Sequence, residues 1–171
     1  MNTDDTIHNY DTPAWHVLHV RPRCEKKLGE YCISRKIEHY LPLRAESKVY
    51  QRRKVEVQKP LFPGYVFACF SPRHRALVLK SQQIVRILEV NDQARLLEEL
   101  DQVRMALTVN PALGACTAVK RKTRVRIISG PFQGLEGMVS TLRGQTRVVL
   151  NVDMIGQGVL VEADLDMLER M

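Results

Sequence analysis

The 171-residue chain is short of the groups that catalysis and membranes demand. Its four cysteines, Cys24, Cys32, Cys69 and Cys116, make no C-x-x-C pair, and no histidine stands at zinc-like spacing from them. They read as small buried hydrophobes, and neither a metal nor a cofactor is expected. There is no Walker loop, no G-x-S-x-G and no Cys/His pair close in sequence. The carboxylate pair Glu98-Glu99 falls on a leucine-rich helix and reads as its wet face. The expectation is a protein that is not an enzyme. No apolar run approaches the roughly 18 residues of a membrane span. The opening "MNTDDTIHNYDTPA" lacks a signal-peptide core, so a cytoplasmic protein with a loose tail over 1–13 is expected. Aromatic residues are scarce at 6%, yet three of the four phenylalanines, Phe62, Phe67 and Phe70, crowd into "KPLFPGYVFACF".

Charge is unevenly spread. Residues 21–59 hold 12 Lys/Arg against 5 Asp/Glu, a surplus of seven that equals the net charge of the whole chain. A localised basic field points either to an anionic partner, nucleic acid first, or to a solvated lysine-rich face.

The pattern along the chain predicts two domains. "AWHVLHV" (14–20) reads as a strand with Trp15, Val17 and His19 on one face. Cys24, Leu28, Tyr31 and Cys32 then recur at helical spacing behind Pro22, leaving Glu25, Lys26, Lys27, Glu30, Arg35 and Lys36 on the remaining face. "EHYLPL" reads as a second strand. "AESKVYQRRKVEVQKP" reads as a hairpin or basic loop with Gln51-Arg52-Arg53-Lys54 at its tip. Pro63-Gly64 suits a turn, and after it Tyr65, Phe67 and Cys69 point one way while Val66, Ala68 and Phe70 point the other. Ser71-Pro72 starts a helix through "RHRALVLKS", "IVRILEV" is a strand, and "ARLLEELDQVRMAL" is a helix with Leu96, Leu100, Val103 and Leu107 in register. The stretch 108–121 reads as a linker. Six of the nine glycines follow, separating short β-branched runs. The fold class is therefore α+β: an α/β sandwich with an antiparallel sheet over 14–107, and a small five-stranded, SH3-like β-barrel over 122–171.

Three motifs carry a family resemblance. "WHVLHVRPRCEKKL", "PLFPGYVF" and "VRIISGPFQGLEGMV" resemble, in that order, the opening strand and helix of a NusG N-terminal (NGN) domain, its F-P-G-Y strand, and a KOW motif with Gly130-Pro131-Phe132, Gly134 and Gly137. The chain thus resembles the NusG family of transcription elongation factors. The basic "KVYQRRKVEVQKP" connection and "PLFP" resemble an RfaH-like specialised paralogue, while "PGY" is closer to general factors. The resemblance implies a monomeric antitermination factor whose first domain binds the clamp helices of the RNA polymerase β′ subunit and suppresses pausing. Tyr65, Phe67, Phe62 and His19 would form the apolar contact, two or three rings supplying about 1.5–3 kcal/mol each. Arg21, Arg23, Lys27, Arg52, Arg53 and Lys54 would face DNA phosphates at the upstream edge of the bubble, with Arg35 and Lys36 beside a displaced non-template strand. In the KOW domain, Met154, Ile155 and Gln157 would meet ribosomal protein S10 or Rho. Some RfaH-like proteins refold this domain into helices; the β-branched and glycine content here predicts strands.

A rival reading is a KOW-type RNA-binding or ribosome-associated protein, supported by the cluster "KRKTRVR" (120–126).

Overall fold

The structure, a computed structural model, describes residues 11–171 without the Leu142 side chain. Most of the expected tail, 1–10, lies outside the described residues. The chain groups into two compact units. One runs to Pro42 and resumes over Phe62–Gln93; the other comprises Leu43–Leu61 and Ala94–Met171.

The first unit is built on a four-stranded antiparallel sheet in the order β2-β5-β1-β6. The strands are β1 (Ala14–Val20), β2 (Glu38–Tyr40), β5 (Tyr65–Phe70) and β6 (Ile84–Glu89). Helix α1 (Glu25–Ser34) and the short α2 (Arg75–Leu79) supply Leu28, Cys32 and Val78 to one face, where they meet Leu18, Val20, Val66, Ala68 and Phe70. The strand alternation read from sequence accounts for this packing, because residues two apart share a face. Helix α1 starts at Glu25, so Pro22 precedes it rather than occupying its first turn. The expected wet face is also corrected. Glu25 is only 5% exposed, since it shares the buried stripe with Leu28 and Cys32 at i, i+3, i+7.

The second unit contains a two-stranded ribbon, β3 (Leu43–Tyr50) and β4 (Arg53–Pro60), paired in register from Leu43↔Pro60 to Tyr50↔Arg53. The basic stretch is therefore a hairpin with a two-residue turn, and Arg53 and Lys54 belong to a strand rather than to the tip. Helix α3 (Gln93–Val109) buries Leu96, Leu100, Val103 and Ala106. The remainder is a six-stranded antiparallel sheet, ordered β12-β8-β9-β10-β11-β7. Its strands are β7 (Ala115–Thr117), β8 (Arg124–Ile127), β9 (Glu136–Leu142), β10 (Gln145–Val152), β11 (Gln157–Glu162) and β12 (Leu168–Arg170).

Five of these strands, β8 to β12, lie within 122–171, and the sheet gains a sixth from outside that range. The extra strand, β7, lies inside the supposed linker and pairs with β11 through Thr117, Cys116 and Ala115. Three residues are too few to show periodicity. Not every glycine marks a turn, either. Gly137 and Gly158 lie in strands, where a Cβ would come within 2.5 Å of the Val149 carbonyl oxygen and 2.7 Å of that of Leu150. Both permit close approach of the neighbouring strand β10, the condition for a sheet that curls. A six-stranded sheet of this kind fits a barrel-like domain.

The cysteines are reduced, with Cys32 buried and the other three part-buried; burial lifts the Cys32 thiol to about 11. Among the described residues no cluster of His, Cys, Asp and Glu could hold a metal, and no helix is long and apolar enough to cross a membrane.

Candidate functional site

The site begins with the turn Phe62-Pro63-Gly64-Tyr65. Proline fixes φ at the second position and Gly64 takes φ +88° at the third, the pattern of a type II turn. The Tyr65 N–H donates to the Phe62 carbonyl at 3.1 Å and closes it. Two further bonds tie it to the body. The Val20 N–H donates to the Gly64 carbonyl at 2.8 Å, and the Gly64 N–H donates to the Glu25 carboxylate at 2.8 Å. The first turn of α1 therefore holds the turn that launches β5.

This anchoring sets out a row of side chains across the sheet. His19 on β1 stands opposite Tyr65 on β5 and Arg86 on β6. The His19 and Tyr65 rings stack with centroids 5.5 Å apart. His19 and Arg86 are exposed and Tyr65 is half-buried. A register shift between His19 and Val20 follows in the β1–β6 pairing, a device that re-aims side chains at sheet margins. The next row on the same face, Phe67–Val17–Leu88, runs inward.

Phe67 is 0% exposed and Phe62 is 1% exposed. The expectation that both rings would lie on an open apolar surface is corrected: β5 carries Phe67 one pleat further from the rim than Tyr65, and Phe62 closes the turn from inside. Only His19 and Tyr65 of the four expected contact residues reach solvent in this structure. Glu25 and Arg86 were not singled out from sequence; the helical stripe was a legible signal for Glu25, whereas only strand pairing brings Arg86 beside His19.

All eight expected nucleic-acid residues, Arg21, Arg23, Lys27, Arg35, Lys36, Arg52, Arg53 and Lys54, are exposed. They are divided between the two units. Arg21, Arg23, Lys27, Arg35 and Lys36 surround α1 in the first unit, and the other three occupy the ribbon in the second. The Arg35 guanidinium lies over the Tyr31 ring, 5.6 Å from its centroid.

The loop expected to meet a second partner is a 3-10 turn, Asp153–Ile155, closed by Gly156 in the left-handed region. Met154 is 37% exposed, while Ile155 and Gln157 are part-buried. Within the second unit α3 holds this loop. Arg95 is ion-paired with Asp153, and the Glu99 carboxylate accepts the Asp153 N–H at 3.1 Å. Glu99 is therefore not wet-face decoration. Burial lifts its carboxyl to about 7, against the favourable pull of that N–H and of Arg95.

An antiparallel sheet with helices packed on one face, a two-stranded ribbon and a small six-stranded antiparallel sheet define an α+β protein with no catalytic constellation among the described residues. The family model described as "Transcription termination factor nusG" matches residues 13–105, more than half of the chain, and the protein belongs to the NusG family. This is a family of transcription factors, not of enzymes. Among solved structures, one titled for domain interaction in Thermotoga maritima NusG is 18% identical, covers 94% of this chain and 98% of its own, and superposes with a TM-score of 0.51. A structure of the MjSpt4:Spt5 complex in conformation B is 13% identical, with coverage of 91% and 95% and a TM-score of 0.31. No curated protein matches.

Proposed function

We propose that this chain is a transcription elongation and antitermination factor of the cytoplasm, acting as an RfaH-like or general member of its family. Residues 14–107 form the polymerase-binding domain and 122–171 a closed KOW barrel. The observation that carries the reading is the family match over residues 13–105, which spans the anchored turn and the His19–Tyr65–Arg86 row. His19 and Tyr65 contact the clamp helices of the polymerase. Phe67 and Phe62 support that surface from beneath. Arg21, Arg23 and Lys27 near α1, with Arg52, Arg53 and Lys54 of the ribbon, contact DNA phosphates at the upstream edge of the bubble, and Arg35 and Lys36 lie beside the displaced non-template strand. Bridging the clamp favours its closed state and suppresses pausing. Met154, Ile155 and Gln157 recruit a second partner, S10 or Rho.

The rival RNA-binding reading is weakened at its own cluster. Arg124 and Arg126 are both paired with Glu136, at 3.0 and 2.6 Å, which neutralises part of the 120–126 charge.

The test is an in-vitro pause assay with polymerase pull-down, comparing wild type with Tyr65→Ala and His19→Ala. Loss of pause suppression and of pull-down supports the surface. Wild-type behaviour of both variants removes it.

A further inference from the structure

The distal half of the ribbon combines features that folding alone does not require. Over 48–55 the sequence is Lys-Val-Tyr-Gln-Arg-Arg-Lys-Val, with four cations and no acid. Register puts Tyr50 opposite Arg53 and Lys48 opposite Val55. Directly opposed residues share a face, as do residues two apart, so Lys48, Tyr50, Arg53 and Val55 lie together on one side. Tyr50 is 68% exposed and stands at the end of that face. The one nearby acid on the same face, Glu46, is engaged by Lys59 at 2.9 Å.

The turn adds an independent observation. Gln51 and Arg52 have φ of +48° and +63°. Two-residue hairpin turns of this hand favour Asn-Gly or Asp-Gly, because other side chains are strained there. Strand propensity explains Val49, Tyr50 and Val55, and edge protection explains some lysine and arginine. Neither explains why a strained pair with long polar side chains occupies the tip, nor why every charge in the segment is positive.

We propose that this face of the ribbon binds single-stranded nucleic acid, with Tyr50 as the platform on which one unpaired base stacks and Lys48, Arg52 and Arg53 on the flanking phosphates. An exposed ring between cations is the chemistry of sequence-tolerant single-strand binding. In a duplex the bases are already stacked, and the ring would find no face to cover. The proposal deepens the nucleic-acid part of the proposed function: it adds Tyr50 and Lys48 and gives the ribbon face itself a stacking contact with an unpaired base. Its test does not pass through the polymerase.

The experiment is fluorescence anisotropy with the full chain and a labelled oligonucleotide of about 15 nucleotides, single-stranded or annealed, at about 50 mM salt. Tyr50→Ala is expected to weaken single-strand binding about ten-fold and to leave duplex binding within about two-fold, while Tyr50→Phe retains binding. The double variant Lys48→Gln/Arg53→Gln is expected to weaken both ligands and to make the salt slope shallower by one to two. Far-UV circular dichroism checks that the variants fold. The proposal is overturned if wild type binds neither ligand, if Tyr50→Ala binds the single strand as wild type does, or if it loses both ligands equally. Tyr65→Ala, measured alongside, is expected to keep oligonucleotide binding, so the two readings fail on different variants.

Discussion

Two tight turns lie within one short stretch of this chain, and they are made in opposite ways. Pro63-Gly64 has the residues its geometry asks for; one hydrogen bond closes it, and two more fix it to β1 and to the buried Glu25 carboxylate of α1. Gln51-Arg52 takes positive φ at both positions without a glycine and is exposed at both residues. The first turn positions its neighbours: Tyr65 at the rim, Phe67 beneath it. The second turn presents its own side chains. On the single-strand proposal, strain is retained where the side chains themselves are used, and relieved where the backbone only has to pass.

The largest test of this contrast acts beneath the anchored turn. Phe67→Ala removes a fully buried ring and is expected to cost about 3–5 kcal/mol in urea or thermal unfolding. A loss below about 1 kcal/mol would show that the ring is not core. Next in size is the anchor. Glu25→Ala leaves the Gly64 N–H without its acceptor and is expected to cost about 1.5–3 kcal/mol, with Glu25→Ala also weakening polymerase pull-down through Tyr65. Stability loss with pull-down intact would separate the turn from the surface.

A second carboxylate-to-backbone contact sharpens the comparison through pH. Glu99 accepts the Asp153 N–H as Glu25 accepts that of Gly64, but burial lifts the Glu99 carboxyl to about 7. Its folded-state value lies above the unfolded one, so the contribution is fully present below about pH 4.5 and is lost as pH rises through about 7. Glu99→Gln removes the cost of a buried charge. It is expected to raise stability by about 1 kcal/mol at pH 8 and by nothing measurable at pH 4.5, read from melting curves at the two values. An equal shift at both would overturn the assignment.

The same contrast explains what was legible in the sequence. Alternation in β5 put Val66, Ala68 and Phe70 together on one face, which the structure shows to be core with Leu18 of β1, because period-two patterning is a local property. The Pro63-Gly64 turn was legible for the same reason. The burial of Phe67 was not, since exposure of a strand face depends on what packs over it rather than on the strand. Glu25 was misplaced by treating charge as a sign of solvent, although its spacing from Leu28 and Cys32 put it on the buried stripe. Strand β7 escaped because three residues in a glycine- and proline-bearing stretch carry no period. Gly137 and Gly158 looked like turn residues, and only the close approach of β10 gives them another reason.

The smallest effect is also the one that separates strain from use. Replacing Gln51-Arg52 by Asn-Gly gives the ribbon the residues its turn prefers and is expected to stabilise the protein by up to about 1 kcal/mol. It also removes one cation from the tip. If the present pair is kept for its side chains, the variant gains stability yet binds single-stranded oligonucleotide a few-fold more weakly, with Tyr50 and Arg53 untouched. Asn-Lys at the same positions keeps a cation with less strain at the first residue and is expected to recover most of the binding. A variant that is both more stable and an equally good binder would mean that the strained turn is incidental, and the contrast between the two turns would then describe backbone geometry alone.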